Sequence, residues 1–274
     1  MMYELNDLVR LMVCLRDVEY GCPWDRKQSF QSIVPFTLEE AYEVADVVER
    51  QAFEELPSEL GDLLFQVVFY ARLAEEQSLF SLQHVIHSTV VKLLARHPHV
   101  FPNATFESFG QKSLKSLDEI KSQWERKKIG ERAQRGQLDL FDDVPQVMPA
   151  LTRAQKIQKR AKHIGFDWPD LGGVIEKVAE EFAELSEAYQ ANETDAIREE
   201  FGDLIFTLVS LARHLNIDSE QALRQATLKF ERRIGRVMKL AQARGIDLTI
   251  ATASEREALW VQAKTLDDRI NSRL

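Results

Sequence analysis

Glu59-Leu-Gly-Asp62-Leu-Leu-Phe65-Gln-Val-Val-Phe-Tyr-Ala71-Arg72 has a near copy farther along the chain, Glu200-Phe-Gly-Asp203-Leu-Ile-Phe206-Thr-Leu-Val-Ser-Leu-Ala212-Arg213. Eight of the fourteen positions are identical. In each copy two carboxylates stand three residues apart, and apolar residues follow at spacings of three and four. That periodicity predicts an amphipathic helix. Residues three apart on a helix share a face, so each acid pair projects together.

The likeness extends outward. Glu40 and Glu43 stand to Glu59 and Asp62 as Glu181 and Glu184 stand to Glu200 and Asp203, and the offset is 141 for all four (181−40, 184−43, 200−59, 203−62). Lys92 and Arg96, four apart, match Lys229 and Arg233; Trp124 and Lys128 match Trp260 and Lys264; Gly21 and Trp24 match Gly165 and Trp168. A constant offset across two separated acid pairs is the signature of a duplicated domain. The expected division is residues 1–132, a linker at 133–149 rich in Gly, Pro and Gln, and residues 150–274.

Helical stripes recur along most of the chain, and strand-like alternation over six or more residues is absent. The prolines and glycines fall mostly between stripes, and Pro57 sits where a first helical turn tolerates it. Ser254 with Glu257 has the spacing of a capping box. The chain is therefore expected to be all-α. Leu63–Ala71 and Leu204–Ala212, too short to span a membrane, read as buried helix segments.

Composition narrows the function. The 274 residues carry a formal net charge of −9, which argues against stable nucleic-acid binding through bulk electrostatics. A local basic cluster with a metal ion can still hold a small phosphate ligand. Hydrophobic residues make up 45%, enough for a packed core. Cys14 and Cys22 form no disulfide framework, and residues 1–7 lack a basic leader, so a cytoplasmic, membrane-free setting is expected.

Glu43 and Glu59 are 16 residues apart (59−43), enough for a helix end, a turn and a new helix start. Two antiparallel helices would then bring Glu40, Glu43, Glu59 and Asp62 together, and likewise Glu181, Glu184, Glu200 and Asp203. Four carboxylates at close range repel unless a cation lies among them. Oxygen-only ligands suit Mg²⁺ or Mn²⁺. No His sits three residues beyond any of these acids, which disfavours a di-iron bundle and zinc. The alternatives are a solvated acidic face, and for Thr37 with Glu40 a capping box. Gly61 and Gly202, inside the acid pairs, weaken a helix and imply close approach of a neighbouring helix or ligand.

Phosphates bound to such an ion need cations. Lys229 and Arg233 offer a point charge and a planar fork one turn apart. Trp260 could stack on a base while Lys264 reaches a phosphate. Lys92, Arg96, Trp124 and Lys128 are the corresponding set in the first half. Lys177, one turn before Glu181, has Phe36 as its counterpart, which ranks the second half as the better catalyst. His97 and His99 read either as ligand contacts or as a polar helix end.

These motifs, with Cys22-Pro-Trp-Asp25, Arg96-His-Pro-His-Val-Phe101, Arg153-Ala-Gln-Lys-Ile-Gln-Lys159 and Gly165-Phe-Asp-Trp168, resemble the MazG family across essentially the whole chain, in its two-domain bacterial form. The resemblance implies two tandem helical-bundle domains and Mg²⁺-dependent hydrolysis of nucleoside triphosphates to the monophosphate and pyrophosphate. It also implies a homodimer and a role in nucleotide-pool housekeeping. By that resemblance Glu181, Glu184, Glu200 and Asp203 hold the metal, and Lys177, Lys229, Arg233, Trp260 and Lys264 contact the nucleotide. The expected mechanism is direct attack by water, oriented or deprotonated by a carboxylate among Glu180, Glu181 and Glu184. Two other classes compete: a nucleotide sensor that binds without turnover and signals through a protein partner, and a structural helical dimer.

Overall fold

The structure is a computed structural model that describes residues 2–110, 116, 119–120 and 139–271, with side chains to residue 266. Its regular elements are helices, with no strand among the described residues. The chain divides into two compact units, Met1–Ile129 and Gly130–Leu274.

The first unit contains α1 (Leu5–Leu15), α2 (Pro23–Lys27), α3 (Val34–Arg50), α4 (Leu56–Glu76), α5 (Leu82–Arg96) and a 3₁₀ turn, Phe106–Ser108. Pro57 stands in the first turn of α4, where its missing N–H leaves no helical bond unmade. Gly21 is required at the α1–α2 turn: a Cβ there would lie 2.4 Å from the Asp17 carbonyl oxygen and 2.6 Å from that of Leu15. Met12, Ile33, Val68, Phe69 and Leu73 form the core of this unit, drawn from α1, α4 and the residue before α3. The Arg16 guanidinium joins three elements, donating to Glu76 of α4 at 2.7 Å and to the Asp25 carbonyl of α2.

The second unit contains α6 (Ala150–His163), α7 (Leu171–Ala191), α8 (Thr194–His214), α9 (Ser219–Arg244) and α10 (Ala253–Asn271). Asp170 caps α7 by accepting from the Gly173 N–H at 3.1 Å, and Asp218 caps α9 by accepting from the Gln221 N–H at 2.9 Å. The capping box of α10 is Thr252 with Glu255, not Ser254 with Glu257: the Thr252 N–H donates to Glu255 at 2.8 Å, and the Glu255 N–H donates back to the Thr252 hydroxyl at 3.2 Å. The helix starts one residue before Ser254, at Ala253, so the cap falls two residues earlier than the pattern suggested. Val144 is buried and Asp143 pairs with Arg160, so the segment leading into α6 is packed within this unit.

In both units the acid-bearing helices are consecutive and pack along each other, α3 on α4 and α7 on α8. The turn between them begins in the same way. Gln51 and Asn192, again 141 apart (192−51), both adopt the left-handed conformation, with φ of 58° and 57°. Each lets the next N–H reach back into the preceding helix, Ala52 to the Val47 carbonyl and Glu193 to the Ala188 carbonyl. Five residues then join α3 to α4, whereas two join α7 to α8.

The apolar segments of α4 and α8 are buried on one side only. Val68, Phe69 and Ala71 are inside, but Leu60, Leu64 and Val67 are exposed; Val209 is inside, but Phe201, Ile205, Phe206 and Leu208 are exposed. The expectation of buried segments holds for one side of each helix and fails for the other. The stripe is wider than the face that one unit covers.

Candidate functional site

On α3 and α4, one carboxylate oxygen from each of Glu40, Glu43 and Glu59 lies within 4.8 Å of the others. On α7 and α8, Glu181, Glu184 and Glu200 make the same arrangement within the same 4.8 Å limit. Of the four carboxylates expected to converge in each unit, three do. Asp62 and Asp203 stand outside these triads but close enough to act on them electrostatically.

The carboxyl groups bear the mark of crowding. Burial pushes the Glu40 carboxyl up from its ordinary value, and the charges of Asp62 and Glu43 add to the rise. Glu59 is raised by loss of solvent and then by Glu43 and Asp62. Glu200 is raised by loss of solvent and then by Glu184, Glu181 and Asp203. Each is a group whose charged form is disfavoured by its neighbours, the situation a cation relieves. Among the described residues the ligand atoms that converge in each cluster are carboxylate oxygens, which fit a hard divalent ion.

The two clusters differ in what faces them. In the second unit Lys177 donates to Glu180 and Glu181, both at 2.9 Å, and Glu181 is 5% exposed. These two carboxylates hold the lysine's ammonium well above its usual range. In the first unit the corresponding Phe36 packs on the core and meets Trp24. Among the described residues no basic side chain pairs with Glu40, Glu43, Glu59 or Asp62. Thr37 is inside α3, with its hydroxyl donating to the Ile33 carbonyl at 3.1 Å, so it forms no capping box with Glu40.

Gly61 and Gly202 do not mark a close helix contact. A Cβ at either position would meet nothing within 4 Å. The space beside them within each unit is open.

The basic and aromatic residues occupy other helices. Lys229 and Arg233 are on α9, Trp260 and Lys264 on α10. The Arg233 guanidinium lies over the Trp260 ring, 6.0 Å from its centroid, and the Phe230 ring is 5.6 Å from it. Trp260 is half-buried and packs on the cluster of Val237, Ala241, Leu259 and Ala263, so part of its surface belongs to the core. In the first unit Lys92 is exposed on α5 and Arg96 forms its last turn; Trp124 and Lys128 lie outside the described residues. His97 ends α5: its Nδ1 is 2.7 Å from the Leu93 carbonyl oxygen, an acceptor, and so carries the proton. This is the helix-end reading of that histidine.

Two buried polar groups escaped the sequence reading, although their motifs did not. Asp167, in Gly165-Phe-Asp-Trp168, receives both Nη groups of buried Arg213, one at 2.9 Å, and lies 3.2 Å from His214 Nε2. Arg213 holds the Asp167 carboxyl far below the usual carboxylate range. Gln155 and Gln158, in the Arg153–Lys159 motif, donate to the carbonyls of Ile217 at 2.9 Å and Phe206 at 2.8 Å. Their spacing of three on α6 was the available signal: both polar side chains turn inward, Gln158 to α8 and Gln155 to the connection between α8 and α9. They fix the scaffold that carries Glu200.

Comparison with known proteins agrees with this architecture. The MazG nucleotide pyrophosphohydrolase domain matches twice, at residues 28–101 and 173–238, and each match contains one acid cluster. The chain is 46% identical over 265 residues to the nucleoside triphosphate pyrophosphohydrolase of Escherichia coli (strain K12), covering 96% of this chain and 98% of that protein. It is 39% identical over 263 residues to the nucleoside triphosphate pyrophosphohydrolase/pyrophosphatase MazG of Thermotoga maritima, covering 96% of each. It is also 36% identical over 252 residues to the Bacillus subtilis protein YabN, matching 49% of that longer chain. With both acid-bearing helical hairpins inside the matched segments, this chain belongs to the MazG nucleotide pyrophosphohydrolase family.

Proposed function

We propose that this protein hydrolyses nucleoside triphosphates to the nucleoside monophosphate and pyrophosphate, and that its second unit carries the chemistry. The observation behind this reading is the convergence of Glu181, Glu184 and Glu200 within 4.8 Å, in a chain whose relatives are named for that activity.

Glu181, Glu184, Glu200 and Asp203 would hold Mg²⁺, with Mn²⁺ as a substitute; the oxygen-only donor set and the raised Glu200 carboxyl fit a hard cation. When bound, the ion supplies charge neutralisation at the phosphate oxygens and favours attack by water. The protein's own residues do the rest. A carboxylate among Glu180, Glu181 and Glu184 orients the water and accepts its proton. Lys229, Arg233 and Lys264 offset charge on the departing pyrophosphate, and Lys177 reaches a phosphate oxygen. Trp260 offers its exposed part to the base.

In the first unit Glu40, Glu43, Glu59 and Asp62, with Lys92, Arg96, Trp124 and Lys128, form the parallel set. Phe36 replaces its lysine, so this unit is the weaker catalyst. The exposed apolar residues of α4 and α8 would be covered by a second copy of the chain, giving a homodimer. No helix among the described residues is long and apolar enough to cross a membrane. A cytoplasmic role in nucleotide-pool housekeeping accords with this reading.

The direct test is a panel of nucleoside triphosphates with Mg²⁺, scored for product. Monophosphate with pyrophosphate supports the proposal. Diphosphate with orthophosphate, or binding without turnover, refutes it; the latter outcome would favour a nucleotide sensor.

A further inference from the structure

We propose that Lys177 is a resident counter-ion of the second acid cluster, and that its release from Glu181 couples cation binding to triphosphate binding in that unit. The inference rests on the reading of the cluster as a cation site.

One buried carboxylate has two claimants. Glu181 is among the three residues whose oxygens converge within 4.8 Å, and its Oε1 also accepts from Lys177 Nζ at 2.9 Å. The Glu181 side chain is 7% exposed, so solvent does little to screen what competes for it. An ammonium donates three hydrogen bonds and accepts none, and it repels any cation near it. The lysine and a divalent ion therefore cannot both use Glu181 fully. Lys177 has to give up Oε1 before the whole carboxylate is available.

Leaving is feasible. The Lys177 side chain is 31% exposed, and its second partner, Glu180, is 57% exposed. The four-carbon stem can swing without disturbing the core. Once released, the ammonium is still tethered one turn before Glu181, beside the cluster. A cation arriving alone strands it without its buried partner. A cation arriving with a triphosphate gives it phosphate oxygens instead. The two ligands therefore assist one another, and by linkage the assistance is reciprocal.

Among its described residues the first unit has no such device. At the equivalent position Phe36 is packed against Trp24 and the core. Among the described residues no ammonium has to be displaced from Glu40, Glu43 or Glu59, so cation binding there gains nothing from the release of one.

The test uses the full chain in a Glu59→Gln background, which takes the first cluster out of the count. Mn²⁺ binding is measured by electron paramagnetic resonance with and without α,β-methylene-ATP. Chelation of Mn²⁺ by free nucleotide is common to all variants and cancels in the comparison. Lys177→Met should tighten binding of Mn²⁺ alone by about fivefold or more, and the enhancement by nucleotide should fall below that of the parent by a similar factor. Lys177→Arg should keep the coupling. Mn²⁺ affinity in Lys177→Met equal to or weaker than in the parent overturns the proposal. A Glu200→Gln control separates the two failures: if it leaves Mn²⁺ binding intact, the cluster is no cation site and both readings fall.

Discussion

Trp24 meets Phe36 edge to face, with ring centroids 5.6 Å apart and planes at 71°. The contact occupies the place in the first unit where the second carries Lys177 beside Glu181, and the offset of 141 (177−36) is the same as for the acids. One copy of the duplicated hairpin thus spends this position on packing and the other on charge. Phe36 is tied to Trp24 and the core, so it cannot reach a ligand without unpacking them.

That asymmetry ranks the two clusters. Glu200→Gln should abolish pyrophosphate release while the helical circular-dichroism signal is unchanged. Glu59→Gln should lower turnover far less. Coupled pyrophosphate assays on both variants make the comparison. Equal losses would show that the first unit shares the chemistry.

Stability should respond to pH through the crowded carboxylates. The folded-state pKa of Glu200 is raised above its ordinary 4.5, so the folded protein binds that proton more tightly than the unfolded chain. Its stabilising contribution is present below the ordinary value and is lost as pH rises through the raised one. With metal chelated, Glu200→Gln should therefore melt higher than wild type near neutral pH. The difference should shrink on acidification towards the ordinary carboxylate value, and Mn²⁺ should reverse it. Thermal melts in chelator across pH read this directly.

Asp167 acts in the opposite sense. Its carboxyl is held low by Arg213 and His214, so its contribution is present above the ordinary carboxylate pKa and is lost as pH falls through the folded one. Asp167→Asn leaves the Arg213 guanidinium, 6% exposed, without its anion. The expected loss is about 3 kcal/mol, measured by urea denaturation at neutral pH. A loss below about 0.5 kcal/mol would show that the pair behaves like an exposed one.

The glycines inside the acid pairs give a gain-of-stability test. Both are within helices, and both have open space where a Cβ would go. Gly61→Ala and Gly202→Ala should each stabilise the isolated chain by about 1 kcal/mol. If Gly202→Ala gains stability yet loses turnover, the open space there belongs to the substrate or to a second copy.

The helices were legible because periodicity is a local property, and the clusters because helical spacing converts directly into a shared face. Glu181 and Glu184 with Glu200 needed only a turn between two helices. What stayed hidden depends on contacts made across the fold. Nothing local says that Gln158 points at the Phe206 carbonyl, or that Asp167 waits for Arg213, 46 residues later (213−167). The exposure of Leu64 and Ile205 was hidden for a related reason. A stripe of apolar residues reports how much a helix can bury, not how much one unit covers.

Gln51 and Asn192 open the turns at matched positions: Glu43 and Glu184 come eight residues before them (51−43, 192−184), and Glu59 and Glu200 come eight after (59−51, 200−192). Each left-handed residue is thus the midpoint of a molecular caliper whose two jaws are equal in chain length. One residue inserted within the helix on either side would rotate its jaw by roughly 100° and carry a carboxylate off the shared face. The connections differ in length, five residues against two, yet the chain length from jaw to jaw is the same in both units (59−43, 200−184), so the shorter connection is matched by a longer stretch of helix between it and Glu200.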